Sequence, residues 1–454
     1  MKSKEPILLT DEQMQNFIVN GYIVFKTDLP TTFHQEIFEK TERVFEEEGN
    51  PGNNLLPRLP EIQEIFDHPR VDGALTSIMG KNYLMHAHRH CHYNPPKSGG
   101  QGMHKDSWAK FHHHTRWAMV LYYPQDTPPE IGPTAVVPGS QYYNTKAADG
   151  SEVQLHGEAG TITIVHYDLW HRATPNLTDD KKRFMMKFLF TRMEEPEEPS
   201  WENKADQWLS GKDNPDYPMW HEIWNWHRGE PKPITTNHQQ PISDLIEDLQ
   251  SEDESTCLRS AYALGAHGQP AIPHLIDTLK NESKTVRQNV TYALSSMNQI
   301  AVPELIEAAK DTNANVRAGV ADALGDISLN AQDATSVLID TAMDSDTTVR
   351  QLSTDALGLV SQKSSVAVPV LIDNLKDSDD WVRRNASLAL ARLGPHAKEA
   401  IPDLKLALKD ENRYVCANSL EAMKRINTPE SETAVLDFLI ASRWCPITTQ
   451  KSTF

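Results

Sequence analysis

The patterning of apolar and polar positions changes character near residue 235. Before that point the apolar residues come in short runs with a period close to two, broken by Gly-Pro punctuation. Gly21-Tyr22-Ile23-Val24-Phe25 and the stretches 83–93, 116–123, 161–165 and 184–192 read as strands. Two helices precede or interrupt them. Leu9-Thr10-Asp11-Glu12-Gln13 supplies a cap and an acidic first turn, and a longer helix is expected over 33–48. Short alternating strands joined by such turns predict a small barrel or double-sheet jelly roll with flanking helices, whose mouth can hold a site.

After residue 235 the period becomes helical and the sequence repeats itself. Ala271-Ile272-Pro273-His274-Leu275-Ile276 returns as Ala301-Val302-Pro303-Glu304-Leu305-Ile306, as Val368-Pro369-Val370-Leu371-Ile372 and as Ala400-Ile401-Pro402-Asp403-Leu404. A second phrase recurs with them: Val286-Arg287, Val316-Arg317, Val349-Arg350 and Val382-Arg383 each precede an Ala-rich segment ending in Ala-Leu. Proline near the first turn of one helix, a polar Asp/Asn turn and small residues at close contacts describe a two-helix unit, and stacked units make an α-solenoid. These phrases resemble HEAT-like repeats of the short kind found in phycobilisome-lyase-type proteins, over residues 241–427, with a looser first copy at Pro241-Ile242 and a cap-like last one in which Val415-Cys416 replaces Val-Arg. The repeated arginine is expected to pair with an aspartate of a neighbouring repeat.

The chain is therefore expected to hold an N-terminal domain over 1–235, a solenoid over 236–427 and a tail over 428–454, with a polar, Pro-rich seam at 228–233. A length of 454 residues allows ample burial without disulfides, and Cys91, Cys257, Cys416 and Cys445 form no CxxC pair. Reduced thiols and no thiolate zinc site are expected. A formal charge of −19 speaks against a nucleic-acid or anionic-membrane surface. No apolar run is long enough to span a bilayer, and the first residues lack the apolar core of a signal peptide, so a cytoplasmic location is expected.

The candidate chemistry lies in His104-Lys105-Asp106, a later His171 and then Arg183. Residues two apart in an extended segment share a face, so His104 and Asp106 can approach one metal while Lys105 points away. Two imidazoles and one carboxylate on one side of Fe(II) leave positions open for a bidentate co-substrate and dioxygen, which points to non-haem iron oxygenase chemistry. His166-Tyr167-Asp168 has the same spacing but no suitable later histidine. His86, His88, His90 and His92 alternate on one strand face, and His112-His113-His114 cannot all address one ion. Trp108, Trp117 and Tyr122 could line an apolar pocket or simply fill the core.

The order of several motifs makes a resemblance specific. Leu9 to Gln13 followed by Asn20-Gly21-Tyr22, then Asn94-Pro95-Pro96 before His104-Lys105-Asp106, then Gly132-Pro133-Thr134-Ala135-Val136-Val137-Pro138-Gly139-Ser140, Asp168-Leu169-Trp170-His171, Pro175-Asn176 and Arg183 resemble the phytanoyl-CoA dioxygenase family over residues 7–195. The resemblance implies a double-stranded β-helix, an Fe(II) held by His104, Asp106 and His171, and Arg183 pairing with the distal carboxylate of 2-oxoglutarate, the co-substrate used with dioxygen. Spacing within that family also allows Lys182 in the anchoring role. Arg183 is preferred because its planar fork matches a carboxylate, and Lys182 remains a candidate. An intact Asp106 favours hydroxylation of an unactivated C–H bond over halogenation.

The expected partner is a small organic substrate, with the repeats serving a protein partner or self-association. A protein hydroxylase whose solenoid recruits a polypeptide, and a non-catalytic sensor that binds iron and 2-oxoglutarate, are the competing readings.

Overall fold

The computed structural model describes residues 5–107, 112–145, 151–205, 208, 211–232 and 240–442. They fall into two compact units that divide between Trp208 and Leu209, ahead of the Pro-rich seam expected at 228–233. No helix among the described residues is long and apolar enough to cross a membrane.

The first unit opens with α1 (Asp11–Asn20) and β1 (Tyr22–Lys26), as the sequence predicts. Thr10 and Gln13 exchange backbone and side-chain hydrogen bonds in a capping box, and Gly21 ends the helix at φ +79°. Helices α2 (Thr31–Glu47), α3 (Leu55–Arg58), α4 (Ile62–Phe66) and α5 (Pro69–Met79) follow, α5 with proline in its first turn. The remaining strands are β2 (Leu84–Asn94), β3 (Trp117–Tyr123), β4 (Thr134–Val136), β5 (Val153–Gln154), β6 (Thr161–His166), β7 (His171–Ala173) and β8 (Arg183–Thr191). They form two antiparallel sheets, one in the order β1-β6-β3-β8-β2 and a smaller one in the order β5-β4-β7.

Both sheets contribute to one core. Met119 and Leu121 of β3, Val165 of β6, Met185 and Leu189 of β8 and Val136 of β4 belong to a single buried cluster. β8 is buried along its whole length. Its even residues turn outward onto helices: Phe184 meets Phe38 and Phe45 of α2, while Phe188 and Phe190 meet Phe66 of α4. Its odd residues, Arg183, Met185, Lys187 and Leu189, therefore share the inward face. Two charged side chains thus enter a core lined otherwise by apolar ones.

The second unit begins with α6 (Tyr217–His227), which packs on the second helix of the first repeat. Six helix pairs follow: α7 (Ile242–Asp248) with α8 (Glu254–His267), α9 (Ile272–Thr278) with α10 (Lys284–Ser296), α11 (Val302–Ala308) with α12 (Ala314–Ile327), α13 (Thr335–Thr341) with α14 (Thr347–Val360), α15 (Val368–Asn374) with α16 (Asp380–Leu393), and α17 (Ile401–Ala407) with α18 (Arg413–Ile426). Residues 429–441, within the stretch expected as a tail, form a further helix, α19 (Pro429–Ala441), that packs on α18.

The polar turn of each repeat caps its second helix. Asp253, Ser283, Asn313, Asp346, Asp379 and Asn412 each accept from backbone N–H groups of the first helical turn. In three of the four repeats that carry it the recurring arginine then ties one repeat to the next, as the sequence led one to expect, while Arg287 bonds the Asn281 and Glu282 carbonyls of its own repeat. Arg317, Arg350 and Arg383 place Nε and Nη2 on the carboxylates of Asp344, Asp377 and Asp410, with Nε–O distances of 2.7, 2.8 and 2.8 Å. Their Nη1 groups donate to two carbonyls of the preceding turn. At Gly358 a Cβ would come within 2.8 Å of Ala389 on the next repeat, so the second helices approach too closely for a larger residue.

A buried ion pair fastens the strand ends of the first unit. Arg116, just before β3, donates through Nε and Nη2 to both oxygens of Glu195, beyond β8, at 2.8 and 3.0 Å. Each side chain is 3% exposed. Burial works against the Glu195 charge, but the Arg116 charge and hydrogen bonds, with Arg192 nearby, outweigh it and hold the carboxyl down at about 2. Because the folded value lies below the ordinary 4.5, the stabilisation is fully present above that ordinary value and fades as pH falls towards 2. Replacing Glu195→Gln should cost roughly 3 kcal/mol, since it leaves a buried guanidinium uncompensated. The unfolding free energy of the first unit should fall more steeply in wild type than in the variant between those two pH values, since Asp106 and other depressed carboxylates remain in both; parallel pH profiles would contradict this assignment.

Candidate metal centre

The site is assembled by two backbone hydrogen bonds. His104 N–H donates to the His171 carbonyl and His171 N–H to the His104 carbonyl, each at 2.9 Å. This isolated antiparallel bridge continues the smaller sheet beyond β7, whose other neighbour is β4 with Val136 opposite His171. Directly opposed residues project to the same face, and the two imidazole centroids stand 4.6 Å apart.

Each ring is then turned by its own chain. His104 Nδ1 lies 2.9 Å from the Gly102 carbonyl, and His171 Nδ1 lies 2.9 Å from that of Leu169. A carbonyl only accepts, so both Nδ1 atoms carry a proton, and Nε2 is the nitrogen of each ring left to face Asp106 or a metal. Asp106 Oδ2 sits 3.2 Å from His171 Nε2, and Oδ1 sits 3.9 Å from His104 Nε2. Ligands about 2.1 Å from one cation and at right angles to one another stand about 3.0 Å apart, so this trio needs only a small contraction to close on one ion. Burial opposes the Asp106 charge, yet the His171 hydrogen bond and the Lys187 ammonium hold the carboxyl well below the usual range.

Lys182 and Arg183 point in opposite directions. Lys182 pairs with Glu42 and Glu46 of α2 on the outer side, at 3.0 and 3.6 Å. Arg183 is completely buried. Its Nε donates to the Gly132 carbonyl at 2.9 Å, while Nη1 and Nη2 have no hydrogen-bond partner. Gly132 itself has φ +82°, and a Cβ there would meet the Thr174 carbonyl at 2.5 Å, so the turn that presents this carbonyl requires glycine. A buried guanidinium with two idle nitrogens is costly unless an anion completes it, which suits a carboxylate ligand.

Lys187 belongs to this site, and the sequence reading passed over it. Its ammonium lies 2.6 Å from Asp106 Oδ2 and its side chain is 4% exposed. The signal available was parity: Lys187 stands four residues after Arg183 in an apolar run, hence on the same strand face. Across β2, His90 is opposite Lys187 and Asn94 opposite Arg183. His92 lies between, with Nε2 2.8 Å from His90 Nε2. Burial, together with the charges of His90 and Lys187, pushes His92 down to about 3 against the pull of Asp106. His92 is therefore neutral.

The rival H-x-D motif is separate. His166 and Asp168 are buried beside one another, Nδ1 to Oδ2 3.8 Å, without a third ligand of metal-binding spacing among the described residues. Burial pushes Asp168 up to about 6 despite Lys105, which turns away from His104 and Asp106 as expected. His86 packs edge-on against Trp117, and His113 against Tyr142. Tyr122 faces outward from the strand to His34 of α2 at 2.8 Å, whereas Trp117 packs partly buried against the inner cluster; Trp108 lies outside the described residues. Cys91 and Cys257 are buried free thiols, Cys416 is a free thiol at intermediate depth, and Cys445 lies outside the described residues.

Comparison with known proteins divides the chain in the same way. The phytanoyl-CoA dioxygenase (PhyH) family profile matches residues 30–184, and the HEAT-repeat profile matches 272–358, 302–391 and 368–444. No curated protein matches the sequence. Among solved structures, the chain is similar to the non-heme alpha ketoglutarate dependent carbocyclase SnoK from nogalamycin biosynthesis, at 20% identity over 42% of this chain and 88% of that one, with a TM-score of 0.36. It is also similar to HygX from Streptomyces hygroscopicus with nickel and 2-oxoglutarate bound, at 16% identity over 40% and 86%, with a TM-score of 0.34. A designed armadillo repeat protein in complex with the peptide (KR)4 gives 17% identity over 41% and 100%, with a TM-score of 0.31.

The triad geometry makes a direct prediction for metal uptake. The full chain should bind one equivalent of Co(II) in equilibrium dialysis, and Asp106→Ala or His171→Ala should weaken it by more than the roughly 10- to 100-fold that loss of an outer-shell partner costs. His166→Ala should leave it unchanged. The reverse ranking would assign the metal to the other H-x-D pair.

Proposed function

We propose that this protein is a non-haem iron dioxygenase that consumes 2-oxoglutarate and dioxygen to hydroxylate an unactivated C–H bond of a small organic molecule. His104, Asp106 and His171 hold Fe(II), and Arg183 holds the distal carboxylate of 2-oxoglutarate. The observation that carries this reading is the pairing of two features linked through Lys187: a trio of facing ligand atoms, and, on the same face of β8 as Lys187, a fully buried guanidinium with two unbonded nitrogens.

The overall reaction balances as 2-oxoglutarate, dioxygen and R–H giving succinate, carbon dioxide and R–OH. Iron, when bound, supplies the activation of dioxygen that no side chain of the protein can provide. The protein's own part is positional. The Gly102 and Leu169 carbonyls fix the tautomer and aim of the two imidazoles, and the Gly132 carbonyl fixes the guanidinium. Arg183 lies at the closed end, while the His104 side chain is 39% exposed, so the substrate approaches from the His104 side. Asp106 occupies its place as a carboxylate, which leaves no room there for a halide and favours transfer of hydroxyl. Lys182, engaged by Glu42 and Glu46 outside, takes no part in anchoring. The helical repeats, stiffened by their arginine–aspartate ladder, serve association with a protein partner or a second copy.

Fe(II) and 2-oxoglutarate mixed anaerobically with the protein should give a weak visible charge-transfer band, and admitting dioxygen should release succinate. Arg183→Met should raise the 2-oxoglutarate concentration needed for the band about tenfold or more, the loss expected for a charge-assisted fork. Lys182→Met should not. Iron-loaded protein that shows neither band nor succinate, or a Lys182 variant that behaves as predicted for Arg183, would contradict the reading.

A further inference from the structure

We propose that Lys187 is the second carboxylate-binding cation of the site, taking the carboxylate of a 2-oxo acid that lies next to the metal while Arg183 takes the far one. The proposal rests on the functional reading above and adds to it a receptor for the near end of the co-substrate.

Two observations support the assignment. Arg183 and Lys187 are both buried on the inward face of β8, four residues apart, which places their Cα atoms about 13 Å from each other along the strand. Long side chains reaching in from both ends of that interval can clasp a five-carbon diacid. Second, the Lys187 ammonium already grips a carboxylate oxygen, Asp106 Oδ2 at 2.6 Å, and that oxygen is the one nearest His171 Nε2.

Charge balance turns this arrangement into an expectation. With a divalent cation against Asp106, one carboxylate would face both that dication and the Lys187 ammonium. Like charges repel and unlike charges attract at such separations, so a further anion beside the dication and the ammonium favours the arrangement. The near carboxylate of a 2-oxo acid is that anion. Lys187 thus exchanges Asp106 for the incoming ligand, and Asp106 holds its place in the meantime. A lysine that merely positioned Asp106 would have the opposite signature, because its removal would weaken the metal and leave the oxo acid untouched.

Isothermal titration of the full chain separates these cases with Co(II) alone and then with 2-oxoglutarate or pyruvate added to the Co(II)-loaded protein. Pyruvate keeps the near carboxylate and lacks the far one. Lys187→Met should bind Co(II) as tightly as wild type or more tightly, and should bind both oxo acids at least tenfold more weakly. Arg183→Met should lose affinity for 2-oxoglutarate and not for pyruvate. Lys187→Arg, which keeps the charge, should stay within threefold of wild type and shows that the fold tolerates substitution. Unchanged oxo-acid affinity in Lys187→Met, or a loss of Co(II) affinity beyond threefold, would overturn the proposal and leave Lys187 as a positioning residue. Wild-type protein that binds Co(II) but neither oxo acid would overturn the functional reading along with it.

Discussion

The reciprocal backbone hydrogen bonds between His104 and His171 are the constraint on which the site depends. They join two segments that are 67 residues apart in sequence, and by making the pair directly opposed they send both imidazoles to one face. Everything nearer the chemistry follows from that pairing. Asp106, two residues beyond the bridge, brings its carboxylate to the same two rings, and the two Nδ1–H groups find carbonyls two residues back in the chain. A slip of one residue would turn His171 into the opposite face and leave Arg172 in its place.

A second constraint is the phase of β8. Its odd residues turn inward and its even residues lie under α2 and α4, which divides two adjacent cations between two fates: Arg183 is sealed in the interior, and Lys182 is tied to glutamates outside. The same phase brings Lys187 to Asp106. Two buried cations on one strand face are expensive in a core that could otherwise be wholly apolar, and the Asp106 carboxylate offsets only one of them. The idle nitrogens of Arg183 are thus the clearest mark in the fold of a missing anionic partner.

Much of this was readable from the chain, and the unread parts share a physical cause. The long strands, α1, α2 and the helical repeats announce themselves by period, by capping residues and by recurrence, and three of the four recurring arginines meet aspartates of their neighbours as expected. The triad could be picked out because residues two apart can share a face, although His104 forms an isolated bridge rather than part of a strand. The choice between Lys182 and Arg183 could not be read in the same way. β8 is buried on both faces, so apolar residues occupy both parities and hydrophobicity carries no phase; only the helices packed outside reveal it. Lys187 was hidden by that same run. The short strands β4, β5 and β7 hold two or three residues each, too few for any period to show, and α5 begins at a proline that reads equally well as a turn.

The proposed function requires one metal at the His104–His171 bridge, with the co-substrate running inward to Arg183. Anomalous diffraction from crystals of the Fe(II)-loaded full chain, grown anaerobically with 2-oxoglutarate, measures that position directly. The account predicts one iron peak bounded by His104 Nε2, His171 Nε2 and the Asp106 carboxylate, with density for the diacid extending to the Arg183 guanidinium. An iron peak beside His166 and Asp168, or a diacid bound away from Arg183, would contradict it.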